Sequence, residues 1–164
     1  MAHGTHNPPA RGFTLVEMLV VCVLLGILAA VVLPQFGQAT SDSRSAALMS
    51  DVQTLRRQLQ VYKAEHLNVF PGANLVAQMT LYSDTSGNTS ATQSATFPHG
   101  PYVVSFPKNP ISGDAAVRFA TQPGDTFTAP STDGGWYYNS ATGEIRADLT
   151  DSRTLPTGLI LNQF

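Results

Sequence analysis

From Phe13 to Leu33 the chain runs for 21 residues that are apolar at every position except Thr14, Glu17 and Gly26. About 20 consecutive apolar residues carry an α-helix across a bilayer core, so this run predicts a membrane-length helix. A secretory signal peptide is the competing reading, with Ala29-Ala30 as its small-residue cleavage site. Its apolar region would be shorter than the one present. Beyond Pro34 the pattern changes from uniformly apolar to periodic. Leu48, Val52, Leu55, Leu59, Tyr62 and His66 follow at intervals of 4, 3, 4, 3 and 4, and the first five form one apolar helical stripe. Asp51, Gln53, Arg56, Arg57, Gln60 and Lys63 fall off it. Ser41 or Asp42 is placed to cap a restart of the helix after Pro34. A nearly continuous helix from Phe13 to His66 would be about 80 Å long at about 1.5 Å per residue.

Phe70-Pro71-Gly72 reads as the helix stop. Thereafter Gly, Pro, Ser, Thr and Asn dominate, which suits strands and turns. Ser83–Thr96 is small and polar and reads as a flexible surface loop. Strands are predicted at Tyr102–Phe106, Val117–Phe119, Gly135–Asn139 and Glu144–Asp148, the last two joined by the hairpin loop Ser140-Ala141-Thr142-Gly143. Trp136 and Tyr138 alternate onto one face, and Ile145 and Ala147 do the same on the next strand. Pro107 and Pro110 predict a rigid turn around Lys108-Asn109. The fold class is therefore α+β: a long N-terminal transmembrane and amphipathic helix packed on a small antiparallel sheet. The boundaries read 1–12 leader, 13–34 membrane and assembly helix, 35–69 amphipathic continuation and 70–164 β-rich head.

Charge changes the picture at one position. Glu17 lies inside the apolar run, and no further charge occurs before Asp42. Ionisable groups in membrane segments cost roughly 2.5 to 3.5 kcal/mol on insertion scales and by default mark function. Elsewhere the formal net charge is −2 with 12% charged residues, so no basic surplus exists to drive nucleic-acid binding. The single cysteine, Cys22, sits in the apolar run, which excludes an intrachain disulfide and suits packing among helices. Arg11, with no acid in the leader, orients the N-terminus to the cytoplasm and the head outside. His3 and His6 lie in the leader, His66 and His99 are isolated along the chain, and no nucleophile, metal-ligand or phosphate-loop spacing occurs. No enzymatic activity and no cofactor are expected. Asp114, Asp125 and Asp133 are scattered candidates for calcium, with solvated turn aspartates as the other reading.

Arg11-Gly12-Phe13-Thr14-Leu15-Val16-Glu17-Met18, followed by Val20-Val21, Ile27-Leu28-Ala29-Ala30 and Pro34-Gln35-Phe36, resembles the class III signal sequence of type IV pilins and type II secretion pseudopilins. A looser similarity runs through Leu55-Arg56-Arg57-Gln58-Leu59-Gln60-Val61-Tyr62 to Phe70-Pro71-Gly72, like the helix end of a major pseudopilin. The resemblance implies a pilin fold, cleavage between Gly12 and Phe13 by a prepilin peptidase and N-methylation of Phe13. It also implies residence in the inner membrane with a periplasmic head. An assembly ATPase and a platform protein would then drive polymerisation with further copies and related minor pilins. Within that frame Glu17 needs a counter-charge in an apolar bundle, and the Phe13 amine of a neighbouring subunit is the available cation; a protonated or snorkelling Glu17 is the alternative. Pro34 is placed to kink or melt the helix. The head departs from the better-known subfamilies, with no C-terminal disulfide loop, no Asp-Pro-Trp-Gly motif and no acidic calcium loop. A type II secretion pseudopilus is the function favoured. An adhesive, motility or DNA-uptake pilus and a non-polymerising membrane-anchored binding module are the alternatives.

Overall fold

A computed structural model describes residues 12–120, 122, 124–150 and 160–161; for residues 31–39 only the backbone is described. The chain divides into two units, 1–40 and 41–164. The leader expected at 1–12 therefore lies outside the described residues up to position 11.

One α-helix, α1 (Leu15–Glu65), contains both the apolar run and the amphipathic stripe. It does not restart at Ser41 or Asp42. The Ser45 hydroxyl instead donates to the Ser41 carbonyl at 3.0 Å, a bond made inside continuous helix. The helical backbone also runs through Pro34, whose side chain is outside the described set.

The helix stops earlier than Phe70-Pro71-Gly72. Leu67 and Asn68 take positive φ values of 54° and 65°. The Asn68 N–H reaches back to the Lys63 carbonyl at 3.0 Å, which closes the last turn as a left-handed cap. A leucine is an unusual residue for that position, so the sequence carried no glycine signal there.

In the second unit the helical stripe forms the core, as its spacing predicts. Leu48, Val52, Leu55, Leu59 and Tyr62 are all at most 2% exposed. They pack with Leu75, Met79, Trp136, Tyr138, Ile145, Ala147, Leu149 and Leu161. Facing them is a three-stranded sheet of β3 (Val117–Phe119), β4 (Trp136–Asn139) and β5 (Glu144–Ala147), in the order β3-β4-β5. The β4–β5 hairpin is antiparallel, pairing Trp136 with Ala147 and Tyr138 with Ile145. β3 joins β4 in parallel, pairing Val117 with Trp136. The sheet is thus mixed rather than antiparallel, because residues 120–135 form a crossover long enough to return the chain in the same direction. Gly135 permits the join: a Cβ there would lie 2.3 Å from the Ala116 carbonyl oxygen.

Three further expectations change. Tyr102–Phe106 is not a strand; the N–H groups of Tyr102 and Val103 both donate to the Met79 carbonyl, at 2.9 and 3.0 Å, leaving no ladder. A short helix, α2 (Leu75–Thr80), lies where composition predicted no helix, and it buries Leu75 and Met79. Ser83–Thr96 contains a two-stranded hairpin, β1 (Tyr82–Ser83) with β2 (Thr89–Ser90). Its turn is organised by Asp84, whose carboxylate accepts from the Ser86 and Asn88 N–H groups, each at 2.9 Å, and from the Asn88 side-chain amide at 2.7 Å.

Candidate assembly site

The start of α1 places the residues singled out by the sequence next to one another. Thr14 precedes the helix, and its hydroxyl accepts the Glu17 N–H at 3.2 Å. The Met18 N–H donates to the Thr14 carbonyl at 3.2 Å. Thr14 is therefore the N-cap and Glu17 the third helical residue, which is the spacing of a capping box. A carboxylate in the first turn is also favoured by the positive end of the helix dipole. Sequence reading picked out Glu17 for its charge but overlooked Thr14; the Thr-x-x-Glu spacing was the available signal.

Around this cap every described apolar side chain faces outward. Phe13 is 76% exposed, Leu15 82% and Val16 69%, and Met18, Leu19, Leu24, Ile27 and Leu28 are each more than half exposed. Gly12 and Gly26 are open, with nothing within 4 Å of a built Cβ. Cys22 is exposed among them. A helix apolar on all sides is at home only inside a larger protein core or a membrane. Among the described residues no helix is long and apolar enough to cross a membrane; the described side chains of the run extend only to Ala30.

The head holds the remaining candidates in separate turns. The Asp114 carboxylate accepts the Ala116 N–H at 3.0 Å, and Asp125 accepts that of Gln122 at 2.8 Å. Asp133 accepts the N–H and hydroxyl of Thr150 at 2.9 and 2.8 Å. These three are not brought together, and among the described residues no group of three or more His, Cys, Asp or Glu side chains is arranged to hold a metal.

His66 and His99, far apart in sequence, are neighbours, with ring centres 5.3 Å apart. His66 is buried and stacked on Tyr62 at 3.7 Å. One of its ring nitrogens lies 2.8 Å from the Tyr62 carbonyl and the other 3.0 Å from the Ser83 hydroxyl. The ring nitrogen beside the carbonyl is a donor, and the other nitrogen shares a hydrogen bond with the Ser83 hydroxyl. Glu65 accepts from the Tyr102 hydroxyl at 2.5 Å and lies 3.6 Å from His99. This cluster joins the helix end to the hairpin. Asn109 is a second joint that sequence reading took only as part of a turn. It is fully buried, with its amide donating to the Gly135 carbonyl at 2.8 Å and its side-chain oxygen accepting the Ile111 N–H at 2.9 Å.

The family model for the prokaryotic N-terminal methylation motif matches residues 8–33. The type II secretion system core protein G of Pectobacterium carotovorum subsp. carotovorum is 30% identical over 114 residues, covering 69% of each chain. The chain belongs to that family. It is a pseudopilin, a structural subunit of a pilus-like filament. The core protein G of Klebsiella michiganensis is 28% identical over 136 residues, spanning 77% of this chain and 92% of its own. The type IV major pilin protein PilA of Myxococcus xanthus is 37% identical over 49 residues, 30% of this chain and 22% of its own. No solved structure matches. The pseudopilin's methylation motif thus coincides with the capped, outward-facing apolar start of α1.

Proposed function

We propose that this subunit serves the pseudopilus of a type II secretion system and enters it from the bacterial inner membrane. The observation that carries the reading is the all-round exposure of an apolar helix start with one carboxylate at its third position. Prepilin peptidase cuts between Gly12 and Phe13, where glycine offers an unencumbered backbone, and methylates the new Phe13 amine. Phe13 to Leu33 then spans the membrane with the head on the periplasmic side. An assembly ATPase, acting through an inner-membrane platform protein, lifts the subunit into a filament of its own copies and related minor pilins.

Glu17 sets axial register in that filament. Its carboxylate in an apolar bundle needs a counter-charge, since an unpaired buried charge costs several kcal/mol, on the order of 3–5. The amine of Phe13 on a neighbouring copy supplies it, while apolar packing supplies most of the cohesion. Pro34 lacks the N–H that would bond one turn back, so the helix bends or melts there under assembly.

Intact mass and N-terminal sequencing, with and without the peptidase, test the processing. The expected product starts at Phe13 with one added methyl group. A chain still starting at Met1 or Ala2, or cut after Ala29-Ala30, would remove the filament route. Glu17→Ala is expected to be processed normally but to lose at least tenfold in filament recovered by shearing. Normal recovery would show that Glu17 does not set register. Deleting the subunit should leave normally exported proteins trapped in the periplasm; undisturbed export with lost motility or DNA uptake would point to a type IV pilus.

A further inference from the structure

We propose that residues 124–132 form a strap over the outer face of the three-stranded sheet, and that the strap opens to let water reach the buried hydroxyl of Tyr137. Trp136 and Tyr138 of β4 face the core, so Tyr137 between them points to the opposite side. There it stands in a row across the sheet, paired with Arg118 of β3 and Arg146 of β5. Although that side faces away from the core, Tyr137 is only 2% exposed. Its cover includes Phe127, whose ring meets the Tyr137 ring edge-to-face at 5.1 Å. The Arg118 and Arg146 guanidinium groups lie 5.7 and 5.8 Å from the Phe127 ring centre.

This cover leaves Tyr137 worse placed than its neighbour on β4. The Tyr137 hydroxyl is out of reach of solvent and has no hydrogen-bond partner. Tyr138 is just as buried, but its hydroxyl donates to the Pro71 carbonyl at 2.9 Å. A buried hydroxyl without a partner forfeits its bonds to water and gains none in return. The closed strap therefore carries a cost that opening relieves.

Little opposes that opening. No N–H from Thr126 to Ala129 makes a hydrogen bond among the described residues. Thr126, Thr128 and Ala129 are exposed, and Phe127 alone of the four is half-buried. Two side-chain bonds tie the strap through its carbonyls, from Arg118 to Thr128 at 3.0 Å and from Asn139 to Asp125 at 3.2 Å. A segment with so few buried contacts and backbone bonds belongs to the low-stability end of a fold. A cavity of about 340 Å³ already lies between strap and sheet, lined by Arg118, Asp125, Thr126, Thr128 and Tyr137 among others. Lifting the Phe127 ring uncovers Tyr137 beside that cavity and presents the row of Arg118, Tyr137 and Arg146 to solvent. The strap belongs to the head alone and does not depend on the filament reading.

The full chain in detergent micelles, methyl-labelled at threonine, tests the strap. Relaxation dispersion at the Thr126 and Thr128 methyl groups is expected to show exchange with a minor open state, on the microsecond-to-millisecond scale of lid motions. Tyr137→Phe keeps the ring and deletes only the hydroxyl. It is expected to lower the open population by about fivefold or more, the lower end of the effect of one buried, unmade hydrogen bond. It should also raise Tm, whereas Tyr138→Phe, which loses the bond to Pro71, should lower it. Phe127→Ala removes the cover and is expected to raise the open population. Absence of dispersion at both methyl groups overturns the strap. So does an open population that Tyr137→Phe leaves unchanged. A Tm lowered by Tyr137→Phe as much as by Tyr138→Phe overturns it as well, because the hydroxyl would then be bonded in the closed state.

Discussion

At the scale of single residues, two positions work against their own preferences. Glu17 is a charge in an apolar run, and Leu67 is a branched side chain in a left-handed backbone. The first was legible because charge stands out in an otherwise apolar run of 21 residues. The second was not, since nothing local distinguishes Leu67 from a helical leucine until the chain has turned. Leu67→Gly is expected to raise the head's stability by about 1 kcal/mol, read as a higher denaturant midpoint, because a left-handed conformation costs an L-residue roughly 1–2 kcal/mol and glycine almost nothing. Asn109 and His66 show the other kind of illegibility. Both are polar, and both are buried only because distant segments supply their partners.

Among elements, periodicity was a reliable guide where one segment meets a single apolar face. The stripe from Leu48 to Tyr62 and the alternation of Trp136 with Tyr138 face each other as their spacing predicts. The guide failed at Tyr102–Phe106, where β-favouring residues are present but both leading N–H groups bind one carbonyl. It also failed at α2, whose six residues are too few for a helical period to register. Strand direction escaped the sequence entirely: β3 is parallel to β4 because of where the 120–135 crossover lands. Gly135 is the local condition for that pairing. Gly135→Ala should lower stability by about 2 kcal/mol, within the range of roughly 1–3 for overpacking, and a thermal or urea melt checks it. A wild-type midpoint would mean that the Ala116 backbone gives way at little cost.

Across the whole molecule, the head is held by buried phenols and a half-buried ion pair as well as by apolar packing. Arg118 bonds the buried Asp148 through two nitrogens, at 2.8 and 2.5 Å, and that bond, foremost, holds its guanidinium above the ordinary range. Burial, aided by the Asp84 charge, pushes the Tyr62 hydroxyl up to about 12. Tyr138 is also raised by burial, and its hydroxyl donates to the Pro71 carbonyl at 2.9 Å. A phenol raised on folding binds its proton more tightly in the native state. The stability this represents is complete below the unfolded value near 10 and is lost as pH rises towards 12. Urea titrations at pH 9 and pH 12 should therefore show weaker folding at the higher pH, and Tyr62→Phe should flatten part of the decline. A pH-independent midpoint would mean that the buried phenols do not couple to folding.

The sequence alone determined the N-terminal program: an apolar run, a carboxylate near its start, glycine before phenylalanine, and the helical stripe behind them. These are readable because each depends on local spacing, and a helix presents local spacing directly as geometry. The tertiary structure alone decided the direction of β3, the burial of Asn109, the meeting of His66 with His99, and the covering of the Tyr137 hydroxyl. Each of those depends on segments far apart in the chain converging, which is a property of the packed head.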